Sequence, residues 1–193
     1  MKNIIEGNAV IDQRKKIHPR KFTMWIAIGS IIMMFAGLTS AYIVKRDQPG
    51  WTRFEMPRIF WYSTTIILLS SLTMQMALRS FRERRMKHYQ QLITITTVLG
   101  IVFVILQWLG FSELWNGGIT FEGSGAGQFL YVIAGLHALH VIAGVIALII
   151  IFVRAYSLRV RNYNSVPVEI MSTYWHFVDI LWIYLFVFFL WIQ

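Results

Sequence analysis

Five long apolar runs separated by short polar stretches dominate the chain, at about residues 22–44, 59–78, 92–111, 128–153 and 167–192. Each run reaches the roughly 20 residues that a helix needs to cross about 30 Å of hydrocarbon. They are too long for barrel strands, and an open strand would leave backbone groups unpaired in lipid. The pattern therefore predicts an all-α polytopic membrane protein, a five-transmembrane-helix antiparallel bundle.

Composition agrees with this interpretation, because 56% of the 193 residues are hydrophobic and only 14% are charged, which is typical of membrane proteins. We expect a cytoplasmic basic tail at residues 1–21 and a single membrane domain at residues 22–193. The connections are short, so sequential helices should be antiparallel neighbours. Only residues 112–127 have the composition of a loop.

The basic residues predict an orientation. Fourteen Lys and Arg residues fall on the side of the N-terminus and four on the opposite side. Because cytoplasmic connections carry the excess of Lys and Arg, the N-terminus should be cytoplasmic and the C-terminus outside. The net charge of +9 then indicates contact with anionic lipid headgroups and not with nucleic acid.

Cysteine is absent from the chain. This absence excludes disulfides, Cys-ligated iron–sulfur clusters, a C-x-x-C-H haem attachment and Cys-bridged copper centres. Any metal or haem bound here would depend on imidazole and carboxylate ligands.

Two apolar runs carry a concentrated set of polar side chains. His137 and His140 share one face of the fourth predicted helix, as His176 and Asp179 do on the fifth. Asp179 should lie roughly 18 Å from the start of its helix and His140 roughly 20 Å from the cytoplasmic end of its own, so the carboxylate and an imidazole can supply the partners that each needs. We predict that an interhelical polar network locks these two helices, formed by His137, His140, Glu169, Tyr174, His176 and Asp179.

Two other interpretations remain open. His137 or His140 together with His176 can in principle clamp a haem, although two His residues three apart on one face do not form an opposed pair. A proton-conducting role needs titratable groups throughout the bilayer, and the sequence shows only the cluster. We therefore expect no catalytic residues and no metal ligands in this chain.

A family resemblance becomes specific at the same residues. The segments Gly135-Leu136-His137-Ala138-Leu139-His140-Val141-Ile142-Ala143-Gly144 and Tyr174-Trp175-His176-Phe177-Val178-Asp179-Ile180-Leu181-Trp182, with Glu169 between them, resemble subunit III of the haem–copper terminal oxidases, the cytochrome c oxidase subunit III family. Fainter similarity runs through residues 68–71 and 92–107, so the resemblance covers roughly residues 22–193. The chain is similar to the short five-helix form, which starts at the third helix of the seven-helix form.

The resemblance implies an accessory subunit of a respiratory cytochrome c oxidase in the bacterial plasma membrane, working in aerobic electron transport. In that family the haem and copper lie in partner subunits, and subunit III packs directly on subunit I, associates with subunit II and other respiratory subunits, binds phospholipid, and supports assembly and sustained proton uptake. Our candidate lipid-binding residues here are Trp108, Arg154, Arg159, Trp175 and Trp182.

One departure limits what the resemblance implies. Many members carry an acidic residue directly after the position of Ser30, and this chain has Ile31 there, so a proton-relay role for that carboxylate does not transfer. Two alternatives remain: the same subunit of a quinol oxidase, and an independent membrane haem protein or carrier.

Overall fold

The computed structural model describes residues 19–46, 51, 55–121, 125–157 and 165–192, which contain five α-helices and no strand. Each predicted span lies within one of these helices, so the predicted all-α architecture is confirmed. Residues 1–18 of the predicted basic tail lie outside the described residues. The helices are α1 (Pro19–Lys45), α2 (Ile59–Arg82), α3 (Met86–Asn116), α4 (Gly125–Tyr156) and α5 (Val166–Ile192).

Four of the five described helices are long and apolar enough to cross a membrane, and α2 is the exception. The 24 residues of α2 include seven Ser and Thr residues. Several of their hydroxyl groups bond inside the bundle, to backbone carbonyls of α2 itself or to side chains of other helices. A helix can therefore be this polar and still present an apolar outer face.

The connection between α3 and α4 is shorter than the sequence predicts. The helices occupy residues 112–116 and 125–127 of the predicted loop, so this part of the prediction is wrong. Gly118 has a φ of +89° directly after α3, a conformation that favours glycine at a helix end. At Gly127, inside α4, a Cβ atom would lie 2.5 Å from the carbonyl oxygen of Thr120. Glycine at this position therefore allows the backbone at Thr120 to lie close to the helix.

Three of the four sequential helix pairs are neighbours, as predicted, but the first pair is not. The α2–α3 hairpin packs along its length, from Phe81 against Tyr89 at one end to Phe60 against Phe111 at the other. Among the described residues, α1 contacts α4 and α5 and makes no contact with α2. The expectation that α1 and α2 are adjacent is therefore wrong, because a connection of 13 residues between Lys45 and Ile59 can span about 43 Å when extended.

The side chain of Trp175 joins four helices at the centre of the bundle. It projects from α5 and is fully buried. A Cβ atom placed at Gly100 of α3 or at Gly144 of α4 would lie 3.0 Å from its ring, and its indole N–H donates a 3.1 Å hydrogen bond to the Ser70 hydroxyl of α2. The two glycines thus allow the backbones of α3 and α4 to approach one large ring, as small residues do where membrane helices pack closely.

Candidate functional site

A charged cluster closes one end of the bundle. The Glu169 carboxylate in the first turn of α5 accepts hydrogen bonds from Lys21 of α1 at 2.5 Å and from Arg82 of α2 at 3.2 Å. The Glu169 side chain is only 17% exposed, whereas those of Lys21 and Arg82 are 40% and 60% exposed. One carboxylate therefore connects the ends of three helices. Glu169 lies two helical turns before His176 along α5.

His176 on α5 bonds to α2. Its Nδ1 atom lies 2.6 Å from the Ser71 hydroxyl, and its Nε2 atom lies 3.2 Å from the amide oxygen of Gln75. An amide oxygen only accepts, so Nε2 carries the proton and Nδ1 accepts the hydroxyl hydrogen of Ser71. Both ring nitrogens are therefore paired with the same neighbouring helix.

Asp179 is buried on α5, with 2% of its surface exposed. The Ser71 hydroxyl lies beside its carboxyl group but donates to His176, and neither carboxyl oxygen has a hydrogen-bond partner among the described residues. A buried carboxyl group without a partner is costly.

The two histidines of α4 have different surroundings. The His140 Nδ1 atom lies 2.7 Å from the carbonyl oxygen of Leu136, and the Tyr174 hydroxyl of α5 donates to the His140 carbonyl at 2.9 Å. His137 is 2% exposed, its ring stacks on Trp182 at a centroid distance of 5.5 Å, and neither ring nitrogen has a hydrogen-bond partner within the described part of the chain.

The polar residues thus form a different arrangement from the predicted one. Of the six, only His140 and Tyr174 are joined by a hydrogen bond between α4 and α5. Glu169 and His176 bond to α1 and α2, and no imidazole pairs with Asp179 in the described residues. The residue spacing placed these side chains on one face of α5 correctly, but it could not show that this face meets α2, which is distant in sequence.

The sequence pattern did not indicate the partner residues, which are Lys21, Ser71, Gln75 and Arg82. The available signal was in α2, where hydroxyl and amide side chains recur within an otherwise apolar span. In lipid such groups need partners, so the composition of α2 alone could have indicated a second polar helix facing α5.

The predicted lipid-binding residues separate into two groups. Trp175 and Trp182 are 0% and 2% exposed, and their indole N–H groups donate to Ser70 and Thr64 of α2. Both rings are therefore covered largely by the helices of the chain itself, and lipid binding by either ring stays a prediction. Trp108 is 77% exposed and Arg154 is also exposed, whereas Arg159 lies outside the described residues.

The arrangement does not favour a haem clamp. His176 bonds to α2, whereas His137 and His140 contact Phe35 and residues of α4 and α5. Across the described ranges, no group of three or more His, Asp or Glu side chains could hold a metal ion. In this geometry the hydrogen-bonded polar groups hold the helices of the chain to one another.

These features define the class of protein: an all-helical membrane protein whose buried polar groups act largely on its own helices. A family model described as cytochrome c oxidase subunit III matches residues 20–193. Similar proteins include cytochrome c oxidase subunit 3 of Bacillus sp. (strain PS3), which is 28% identical over 186 residues covering 94% of this chain and 87% of that protein. The probable cytochrome c oxidase subunit 3 of Mycobacterium leprae (strain TN) is 29% identical over 89% of this chain and 90% of its own length.

Cytochrome c oxidase subunit 3 of Phoca vitulina is also similar, at 30% identity over 89% of this chain and 69% of that protein. The chain belongs to the cytochrome c oxidase subunit III family. It is therefore subunit III of a haem–copper oxidase, as the resemblance predicts, and it associates with the other subunits of that complex.

Proposed function

We propose that this chain is an accessory subunit of a respiratory cytochrome c oxidase, with no redox centre or catalytic residue of its own. It packs directly on subunit I, near subunit II, and supports assembly and sustained proton uptake by the catalytic subunit. The observation that supports this proposal most is the pairing of Glu169 and His176 with α1 and α2. Side chains that bond within the chain make it a stable scaffold for its partner.

The proposed setting is the bacterial plasma membrane, with the N-terminus in the cytoplasm. The cluster of Lys21, Arg82 and Glu169 brings the start of α1, the end of α2 and the start of α5 to one end of the bundle. Among the described residues, Lys and Arg are also more numerous at that end than at the other, which supports its assignment to the cytoplasmic side.

Phospholipid binding is part of the proposal. A cavity of about 340 Å³ is lined by Arg154 and by apolar side chains of α1, α4 and α5, among them Met24, Ile151 and Met171. A guanidinium group beside an apolar cavity can bind a lipid phosphate while the acyl chain packs against the apolar side chains. This combination supports Arg154 as a headgroup contact.

Substituting Arg154→Gln tests the lipid contact. We expect the purified oxidase to retain less anionic phospholipid per complex, because the neutral amide loses the charge-assisted bond to phosphate. Mass spectrometry of the lipids that remain after a detergent wash gives the measurement.

Arg79→Gln is the matched control, because Arg79 is an exposed arginine that pairs with Glu83, the residue directly after α2, at 3.0 Å and does not line the cavity. We expect the lipid content of this variant to equal that of the unmodified complex. An equal loss of lipid in both variants would show that general surface charge, and not the cavity, holds the phospholipid.

A further inference from the structure

A long apolar groove runs between α3 and α4 on the outer face of the bundle. Its volume is about 540 Å³, and its walls extend from Phe103 to Trp115 on α3 and from Tyr131 to Ile142 on α4. At 1.5 Å per residue these walls are about 17 Å long. Aromatic rings, including Trp108 and Phe111, provide much of the lining.

Two buried polar side chains also line this groove, and each has at least one polar atom without a hydrogen-bond partner among the described residues. Gln107 is 9% exposed and donates through its amide nitrogen to the Ser63 hydroxyl at 3.0 Å, which leaves its Oε1 atom unpaired within the described residues. His137 is 2% exposed, and both of its ring nitrogens are unpaired there. An unused amide acceptor and an unused imidazole therefore belong to side chains of the groove wall, and a neutral imidazole has one donor and one acceptor.

The depth of these two residues limits what could bind them. Helices α3 and α4 contain 31 and 32 residues, so each is about 47 Å long and extends about 8 Å beyond each side of a 30 Å hydrocarbon layer. Gln107 lies about 14 Å from the end of α3, and His137 lies about 18 Å from the start of α4. Both residues are therefore about 5 to 10 Å inside the hydrocarbon.

Charge gives a second limit, because neither Lys nor Arg is among the residues that line the groove. An ionised phosphate at this depth would be unpaired, which hydrocarbon strongly disfavours. The polar part of the ligand must therefore be uncharged, and it must both donate and accept hydrogen bonds.

We propose that this groove binds an uncharged lipid whose planar ring carries hydroxyl groups, which is the chemistry of an isoprenoid quinol. A ring hydroxyl donates to the Gln107 amide oxygen, and a ring oxygen accepts from the His137 N–H group. The unpaired atoms are covered by neighbouring groups, so binding requires the terminal torsions of Gln107 and His137, which are soft, to rotate toward the groove. The aromatic lining packs against the ring, and the isoprenoid tail leaves along the groove.

The test uses the purified oxidase complex and a decyl benzoquinol that carries a photoreactive azido group. We expect the label to map to residues 103–115 and 131–142, and unlabelled decyl benzoquinol to compete for it. In His137→Phe and in Gln107→Leu, half-maximal labelling should require about five- to tenfold more probe, as expected for the loss of one hydrogen bond.

His140→Phe and Gln90→Leu are matched controls, since they change the same residue types on the same helices outside the groove, and their labelling should stay within twofold of the unmodified complex. The label position and the competition in the unmodified complex test the proposal even where a variant does not assemble. Label confined to other segments, equal competition by phosphatidylglycerol, or a partner-subunit peptide cross-linked into an unlabelled groove would each overturn the proposal.

Discussion

Single polar residues on the inner face of α5 contribute to the bundle in different ways. Glu169 binds two cations at the helix ends, and His176 uses both ring nitrogens toward α2, whereas the carboxyl group of Asp179 has no hydrogen-bond partner among the described residues. Hydrogen bonds between membrane helices contribute about 0.6 kcal/mol on average. The His176 pair should therefore be measurable but modest.

A double-mutant cycle with His176→Phe and Ser71→Ala measures this pair directly. The two side chains lie 2.6 Å apart, so we expect the two effects on the free energy of unfolding to couple by about 0.6 to 1.7 kcal/mol. The free energies of unfolding are measured by reversible unfolding of the complex in mixtures of a mild detergent and a denaturing detergent.

A cycle of Ser71→Ala with His88→Phe serves as the reference. His88 is exposed near the start of α3, so these two effects should add to within about 0.5 kcal/mol. If the His176 cycle were equally additive, the contact between α2 and α5 through Ser71 would not contribute to stability.

At the scale of the helices, Trp175 is the main point of contact. Its ring touches Gly100 and Gly144, and its N–H group bonds to Ser70, so α2, α3 and α4 all pack against this one side chain of α5. Buried rings in close-packed interiors tolerate little added volume. The glycines facing Trp175 should therefore resist substitution more than a glycine of the same helices that faces open space, such as Gly135.

Gly144→Ala should destabilise the bundle by about 1 to 3 kcal/mol, because the added methyl group overpacks the Trp175 ring. Gly135→Ala in the same helix is the control, since no atom lies within 4 Å of a Cβ built there. Helix propensity favours this control substitution by up to about 1 kcal/mol. Thermal unfolding of the purified complex distinguishes the two variants, and equal transition temperatures would contradict the packing described here.

The sequence predicts the five helices well and their partners poorly. Apolar run length located each helix, because this signal is local. The neighbours of α5 depend on contacts between residues about 100 positions apart, such as Ser71 with His176. No local period contains that information, which explains why the network was predicted between α4 and α5 and why α1 and α2 were expected to touch.

At the scale of the whole molecule, polar groups bond inside the bundle and large apolar side chains face outward. Trp108 and Trp191 are examples of exposed rings, at 77% and 78% exposure. Such a surface suits lipid and partner subunits alike. The proposed role in sustained turnover therefore depends on what this surface holds in place.

Delipidation should shorten the catalytic lifetime of the oxidase more than it lowers the initial rate, because the proposed role is to sustain proton uptake and not to transfer electrons. Oxygen consumption followed through repeated turnovers gives both quantities. The comparison is a complex from which this chain has been removed. If delipidation shortened the lifetime of that complex by the same factor, lipid held by this chain would not be the cause.

The central claim is that this chain supports a catalytic partner and binds no prosthetic group itself. The most direct test is to purify the tagged full-length chain from its own membranes, identify co-purifying proteins by peptide mass spectrometry, and record the visible spectrum before and after the partner subunits are removed. We predict a haem–copper subunit in the purified complex and a Soret band that leaves with it. A Soret band that stays with the isolated chain, or purification without any oxidase subunit, would contradict the claim.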